Sequence, residues 1–448
     1  MPHARAAALA PQSRRDFLIK LFMGAGIAAT GPLLNACSSG GGGGGATIPS
    51  STLGAIGPLG EPDGNGIRLP AGFSSRIVAR SGVPILGDIL GGLLPPLYTW
   101  HTFPDGGATF AAEDGGWVYV SNSESVPGGV GALRFDAQGN IIDAYSICTG
   151  TITNCAGGPT PWGTWLTCEE VDNGRVVECA PFGRARDAQE RRALGIFKHE
   201  AAAVDPAGKA VYMTEDDSDG RLYRFACSEF DWPADAARPG LEDGELQVAR
   251  LRDFDYETAM PGIRWGVEWV AVADPTAKQN SQRRPEDTRF RRGEGMWFTN
   301  GIVYFTTTSD KRLWAYDTVG GTVEIVYDTV LGGLDPEING PDNITTTAAG
   351  DVLIAEDNEQ ASRIVIVTPD GKVLPLLQLI GQDSSEITGP AFSPDGKVLP
   401  LLQLIGQDSS EITGPAFSPD GTRLYFSSQR GGPLSGGLTY EITGPFNG

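Results

Sequence analysis

Asp205-Pro206-Ala207-Gly208-Lys209-Ala210-Val211-Tyr212-Met213-Thr214 sets the pattern of this chain: a tight turn of Asp with a nearby Gly, then a short run rich in β-branched and aromatic residues. The turn recurs as Asp136-Ala137-Gln138-Gly139 and as Pro-Asp-Gly at 369, 394 and 419. The runs recur as Gly116-Trp117-Val118-Tyr119-Val120-Ser121, Met296-Trp297-Phe298 and Ile302-Val303-Tyr304-Phe305-Thr306. Many short strands, each closing on such a turn, point to an all-β chain with the radial repetition of a β-propeller. One domain is expected over 51–448, with irregular insertions. Helical periodicity is scarce, and the best candidate, Arg184 to Ala193, reads as a polar insertion.

Residues 1–36 read as an export signal. Arg14-Arg15 inside Ser13-Arg14-Arg15-Asp16-Phe17-Leu18-Ile19-Lys20 is a twin-arginine motif, and the apolar run from Leu21 to Leu34 is too short and glycine-rich to span a bilayer. Leu34-Asn35-Ala36-Cys37 resembles a bacterial lipobox, so lipidation is expected at Cys37. Residues 37–50 then form a Ser/Gly-rich tether. A periplasmic or outer-membrane-anchored lipoprotein, exported folded by the twin-arginine translocase, is the expectation.

Removing four basic residues and one acid with the signal takes the formal charge from -21 to -24. A surface that acidic excludes nucleic acid, whose phosphates need a basic surface. A phosphorylated small molecule remains open, provided bound cations first reverse the sign of the site. If Cys37 is acylated, Cys148, Cys155, Cys168, Cys179 and Cys227 remain, and an odd number leaves at least one thiol unpaired. Cys168 is the expected odd one, with a Cys155–Cys179 bridge left open. Gly371 to Asp395 recurs letter for letter as Gly396 to Asp420, a recent in-frame duplication rather than a blade repeat. The second copy, continuous with Thr422-Arg423-Leu424-Tyr425-Phe426, is expected to hold the native place.

The chemistry sits in Pro159-Thr160-Pro161-Trp162-Gly163-Thr164-Trp165-Leu166-Thr167-Cys168-Glu169-Glu170, where a soft thiol stands beside two hard carboxylates. Further acids cluster at Glu215-Asp216-Asp217, at Glu294 between two glycines, and at Glu356-Asp357-Asn358. Cysteine with carboxylate is ligand chemistry that spans a soft and a hard cation. With only His101 and His199 after the signal, a histidine-rich metal site is excluded, and no Gly-x-Ser-x-Gly elbow is present.

These motifs carry a family resemblance. Asn154-Cys155-Ala156-Gly157-Gly158, running on through the stretch above to Glu170, is similar to the signature of the PhoX alkaline phosphatases. So are Lys198-His199-Glu200-Ala201, Thr214-Glu215-Asp216-Asp217, Arg292-Gly293-Glu294-Gly295 and Glu411-Ile412-Thr413-Gly414-Pro415-Ala416-Phe417. The resemblance implies a six-bladed propeller, a short form of the family, that hydrolyses phosphate monoesters with iron and calcium. It implies Cys168 as the thiolate ligand, with Glu200 and Glu294 as carboxylate ligands. Glu124, Glu215, Asp216, Asn343, Glu356, Asp357 and Glu411, or its duplicate Glu386, complete the hard-oxygen set. Arg292 holds substrate phosphate and, with Glu294, serves catalysis. The expected partners are small phosphate esters, and the protein is expected to be a monomer. Two other readings stay open: a calcium-dependent propeller lactonase, in which Cys168 and Arg292 are idle, and a non-catalytic propeller lipoprotein that binds calcium for stability.

Overall fold

The computed structural model describes residues 59–85 other than 66, 98–329, 338, 340–346, 352–356, 363–367, 373–378, 403–404, 412–420, 422–430 and 436–443. Six antiparallel blades of four strands follow one another: blade one at 104–149, two at 154–190, three at 199–251, four at 293–328, five at 341–378 and six at 412–443. Three strands of blade six come from its own segment, and the fourth is Ser74–Arg80, paired with Leu438–Thr443. The innermost strands pack side by side around the ring, blade six against one, one against two, and so on to five. The chain is an all-β propeller, as its turns and runs predict.

A blade is apolar on both faces, and each gap between blades is an apolar cluster. Trp117, Phe135 and Tyr425 fill the gap between blades six and one; Val118, Val120, Trp165 and Val177 that between one and two. Leu166, Val211 and Tyr223 join two to three, Tyr212, Phe305 and Trp314 join three to four, and Tyr304, Ile344 and Ile354 join four to five. The strand runs therefore read as nearly continuous hydrophobic stretches, since neither face meets water. Blades three and four are further joined at their outer edges by Arg264–Ala271, which pairs with Gly244–Leu251 on one side and Thr322–Asp328 on the other.

One sequence expectation is corrected. The stretch Arg184 to Ala193 is no helix: it holds two single 3-10 turns, Ala185–Asp187 and Arg192–Leu194, separated by the edge strand Gln189–Glu190 of blade two. Pairing of that edge with Val176–Cys179 satisfies backbone groups that an isolated polar helix would leave to solvent. The duplicated segment contributes to two blades. Blade five takes its outer strand, Val373–Gln378, from the first copy, while blade six takes its inner strand, Ile412–Phe417, from the second. Each strand pairs with the neighbour nearest in sequence, so blade five draws on the first copy and blade six on the second, which also pairs Gln403–Leu404 with Ile67–Pro70.

Deleting residues 379–403 removes one copy and retains both strands. The shortened connection should leave the fold intact and stabilise it by about 1 kcal/mol through loop-closure entropy. A melting temperature lowered by more than a few degrees in calorimetry would show that the extra residues have been recruited into the fold.

Candidate metal centre

One backbone device repeats in all six blades. A residue at the start of the inner strand, the first paired one in blades one to five and the second in blade six, lies opposite the end of the second strand, and then one extra residue bulges out. The pairs are Pro104↔Ser123, Asn154↔Glu169, His199↔Glu215, Gly293↔Thr307, Pro341↔Glu356 and Thr413↔Ser427, each followed by a register shift. The residue entering the bulge is Asp105, Cys155, Glu200, Glu294, Asp342 and Gly414 in turn. Five of the six bulges thus carry a metal-ligating side chain. The next bulge residue is small where neighbouring blades touch: a Cβ on Gly106 would lie 2.8 Å from the Ala156 Cα, and one on Gly295 2.5 Å from the Asn343 Cα.

The bulge is braced from the preceding blade. Asn122 donates from Nδ2 to the Cys155 and Ala156 carbonyls at 2.7 and 2.6 Å, Thr214 Oγ1 donates to the Glu294 carbonyl at 2.5 Å, and Thr306 Oγ1 to that of Asp342. A second bond closes the loop side of blades one to four. The N–H groups of Glu124, Glu170, Asp216 and Thr308 donate to the carbonyls of Phe103, Thr153, Lys198 and Arg292. Three of those acceptors, Phe103, Thr153 and Arg292, are non-glycine residues with φ of 49°, 46° and 53°. Left-handed backbone of this kind costs on the order of 1–3 kcal/mol per residue and persists where surrounding structure imposes it.

Around Glu200 the donors converge. Cys155, Glu170 and Glu200 present ligand atoms within 4.8 Å of one another, and so do Glu200, Glu294 and Asp342, with Glu200 shared. Glu200 Oε2 is buried with no hydrogen-bond partner among the described residues. Burial, then the charges of Glu294, Glu170, Asp216 and Asp105, push its carboxyl well above the usual range. Glu170 is pushed up to about 8 by burial and by Asp216 and Glu124, against a lowering from Lys198. Burial and the charges of Glu200, Asp105, Glu124 and Glu170 likewise raise the Cys155 thiol. Its Sγ lies 3.8 Å from Asp105 Oδ2. Gln429 of blade six donates to both Asp105 Oδ2 and Glu124 Oε2 at 2.8 Å. Arg292 lies at the rim, 41% exposed, forked onto Asp216 through Nε and Nη2 at 2.8 and 2.9 Å and 2.9 Å from Glu294 Oε1.

The expected site residues fall into three groups. Glu200, Glu294, Glu124, Asp216 and Arg292 are brought together, and Asn343 follows the donor in the blade-five bulge. Cys168 lies outside the two donor groups: its side chain is fully buried in the apolar seam between blades two and three with Leu166, Val176 and Phe197, at the strand position where other blades place Asn122, Thr214 and Thr306. Burial, then the charges of Glu200 and Glu169, raise its thiol. The thiol grouped with the acids is Cys155. Glu215 faces away from the donor group: Arg283 Nη2 donates to it at 2.6 Å and the Arg221 N–H at 2.9 Å. Strand alternation explains this, because neighbouring residues point to opposite sides. In each acid pair, Glu169-Glu170 and Glu215-Asp216, the first acid takes an arginine, Arg175 within the blade and Arg283 from the connection to blade four, and the second turns to the centre. The backbone of Glu356 ends the second strand of blade five; its side chain, and Asp357, Glu386, Glu411 and Cys37, lie outside the described residues. Sequence reading missed Asp105, Cys155, Glu170, Asp342 and Gln429 as members. Asp105, Cys155 and Asp342 share one signal, a polar residue at the second position of a blade-opening run, whereas Glu170 and Gln429 each directly follow the second strand of a blade.

The sequence profile of the alkaline phosphatase PhoX family matches residues 137–326 and 333–432. The chain belongs to the PhoX family. No curated protein matches it. Among solved structures, Pseudomonas fluorescens PhoX in complex with vanadate, a transition state analogue, overlays with a TM-score of 0.63 at 18% identity, covering 87% of this chain and 97% of that one. A gluconolactonase from Xanthomonas campestris overlays with a TM-score of 0.41 at 12% identity, covering 87% of this chain and 98% of that one.

The two cysteines of the signature separate in a binding experiment. Cys155→Ser should abolish tight metal uptake with little loss of stability, whereas Cys168→Ala should keep metal stoichiometry and lower stability by about 1 kcal/mol. Metal analysis beside calorimetry checks both. Acid pairs without counter-charge also set a pH dependence. Because the folded-state pKa of Glu170 lies above its ordinary value of 4.5, its contribution to the metal-free fold is fully present below about pH 4.5 and is lost as pH rises through about 8. Melting curves of metal-free protein should fall across that window and flatten when a divalent cation is added.

Proposed function

We propose that the chain is a metal-dependent phosphomonoesterase that releases phosphate from organic esters at the cell envelope. The observation that carries the reading is the buried donor set around Glu200, with a half-exposed Arg292 guanidinium at its rim. Membership of the PhoX family supports it at the level of an alkaline phosphatase. An unpartnered buried carboxylate oxygen beside further acids fits cations well. The two donor groups differ in kind: Cys155, Glu170 and Glu200 include sulfur and suit iron, while Glu200, Glu294 and Asp342 are all oxygen and suit calcium. Export by the twin-arginine pathway and anchoring through Cys37 belong to the same proposal and rest on the N-terminal sequence.

Bound cations supply the positive charge that turns an acidic pocket into one that accepts a phosphate dianion, and Lewis acidity toward its oxygens. The protein's own part is positioning. The bulges fix Cys155, Glu200, Glu294 and Asp342 on rigid inner strands, so ligand atoms keep their separation without help from mobile loops. Arg292 is held by Asp216 and Glu294 through Nε and Nη2, and its Nη1 donates no hydrogen bond to the described residues. A phosphoryl oxygen accepting from Nη1 would be oriented against the centre, with the guanidinium stabilising charge that develops in transfer. Lys198 occupies the same blade position one blade earlier and adds positive charge beside Glu170.

Hydrolysis of an aryl phosphate by the metal-loaded protein, before and after chelation, tests the reading; a folded, metal-replete sample without turnover would sink it. Arg292→Ala should lower kcat/KM by about 10²–10³ while metal content is retained, and Arg292→Lys should restore little, since an ammonium lacks the fork.

A further inference from the structure

We propose that Cys148 and Cys179 are a disulfide pair that staples blade one to blade two. Cys148 is the penultimate residue of Ile141–Thr149, the outer strand of blade one, and Cys179 ends Val176–Cys179, the third strand of blade two. Both side chains are buried in one apolar cluster with Ile147, Trp165 and Val177, Cys179 Sγ donates to the Val177 carbonyl at 3.8 Å, and each thiol lies near enough to the other to shift its ionisation. The other described thiols have different surroundings: Cys155 lies against Asp105, Cys168 in the seam between blades two and three, and Cys227 beside Asp231. The bridge left open by the sequence, Cys155–Cys179, is therefore replaced by one between Cys148 and Cys179. All five described cysteines are thiols in this structure.

A second observation supplies a route. Cys148 is among the residues that line a cavity of about 470 Å³, shared with Tyr98, Phe103, Ser125 and Val126, and this is the side from which an oxidant would reach it. The oxidant is a disulfide donor, either a low-molecular-weight disulfide or a thiol–disulfide exchange protein. The Cys148 thiolate attacks one donor sulfur and expels the other as a thiol; Cys179, losing its proton, then attacks the mixed disulfide and releases the second thiol. Two protein thiols give up two protons and two electrons, one S–S bond forms, and the donor's S–S bond is reduced.

The segment enclosed by the bridge carries Cys155 and Glu170. Closing it constrains the unfolded chain and withdraws from exchange the two thiols nearest in sequence to Cys155 apart from Cys168.

Peptide mapping of the intact chain decides the matter. Folded protein is incubated with oxidised glutathione, alkylated under denaturing conditions and digested without reductant. A Cys148–Cys179 linked peptide is expected, persisting in Cys155→Ser and absent in Cys148→Ser and Cys179→Ser. Reductant should lower the melting temperature of the oxidised wild type by on the order of 5 °C and leave both single variants unmoved. Complete alkylation of Cys148 and Cys179 in oxidised wild type, or linkage of Cys179 to Cys155, would overturn the proposal without any variant having to fold.

Discussion

Repulsion among the acids that meet at Glu200 is the constraint on which the rest of the protein depends. Two like charges 4 Å apart cost on the order of 4 kcal/mol at an effective dielectric constant of 20, and Glu200 faces four other acids. Left to itself such a centre would push the inner strands apart. The five described apolar seams between blades oppose that push, and the aromatic residues Trp117, Tyr425, Phe305 and Trp314 carry much of the buried surface. Seams and centre are thus two halves of one balance: the ring is packed tightly enough to hold donors that solution would separate. Arg292 contributes from the rim, its left-handed backbone held by the bond from the Thr308 N–H to its carbonyl and its side chain by Asp216 and Glu294.

Much of the fold was legible because a propeller strand announces itself twice, by its apolar run and by the turn before it. Ala210–Glu215 and Ile302–Thr307 fall where the runs at 210–214 and 302–306 lie. The centre was legible only in outline. Glu200 and Glu294 stand out as lone acids in apolar or glycine-rich runs, but Asp105 and Asp342 sit in segments that read as ordinary Pro-Asp turns. Choosing between Cys155 and Cys168 requires knowing where the strand bulges, and a bulge is a property of two strands in register, invisible in either alone. The same holds for acid pairs: the sequence presents both members, and only the direction of the strand assigns one to an arginine and the other to the centre. The duplication is opaque for a related reason, since identical copies offer no local clue to which strands the sheets will take from each.

Ring closure has a temporal meaning. Ser74–Arg80 becomes part of a sheet only when Leu438–Thr443 arrives, and the ion pair between Arg76 and Glu441 joins residues 365 apart in sequence. Gln429, which bridges Asp105 and Glu124, comes from that same last blade. During synthesis the early blades must therefore wait, with their acids in place but the bridge between two of them missing, until nearly the whole chain has left the ribosome. A cation offered earlier meets an unfinished binding site, so completion of the circle acts as the gate for metal acquisition.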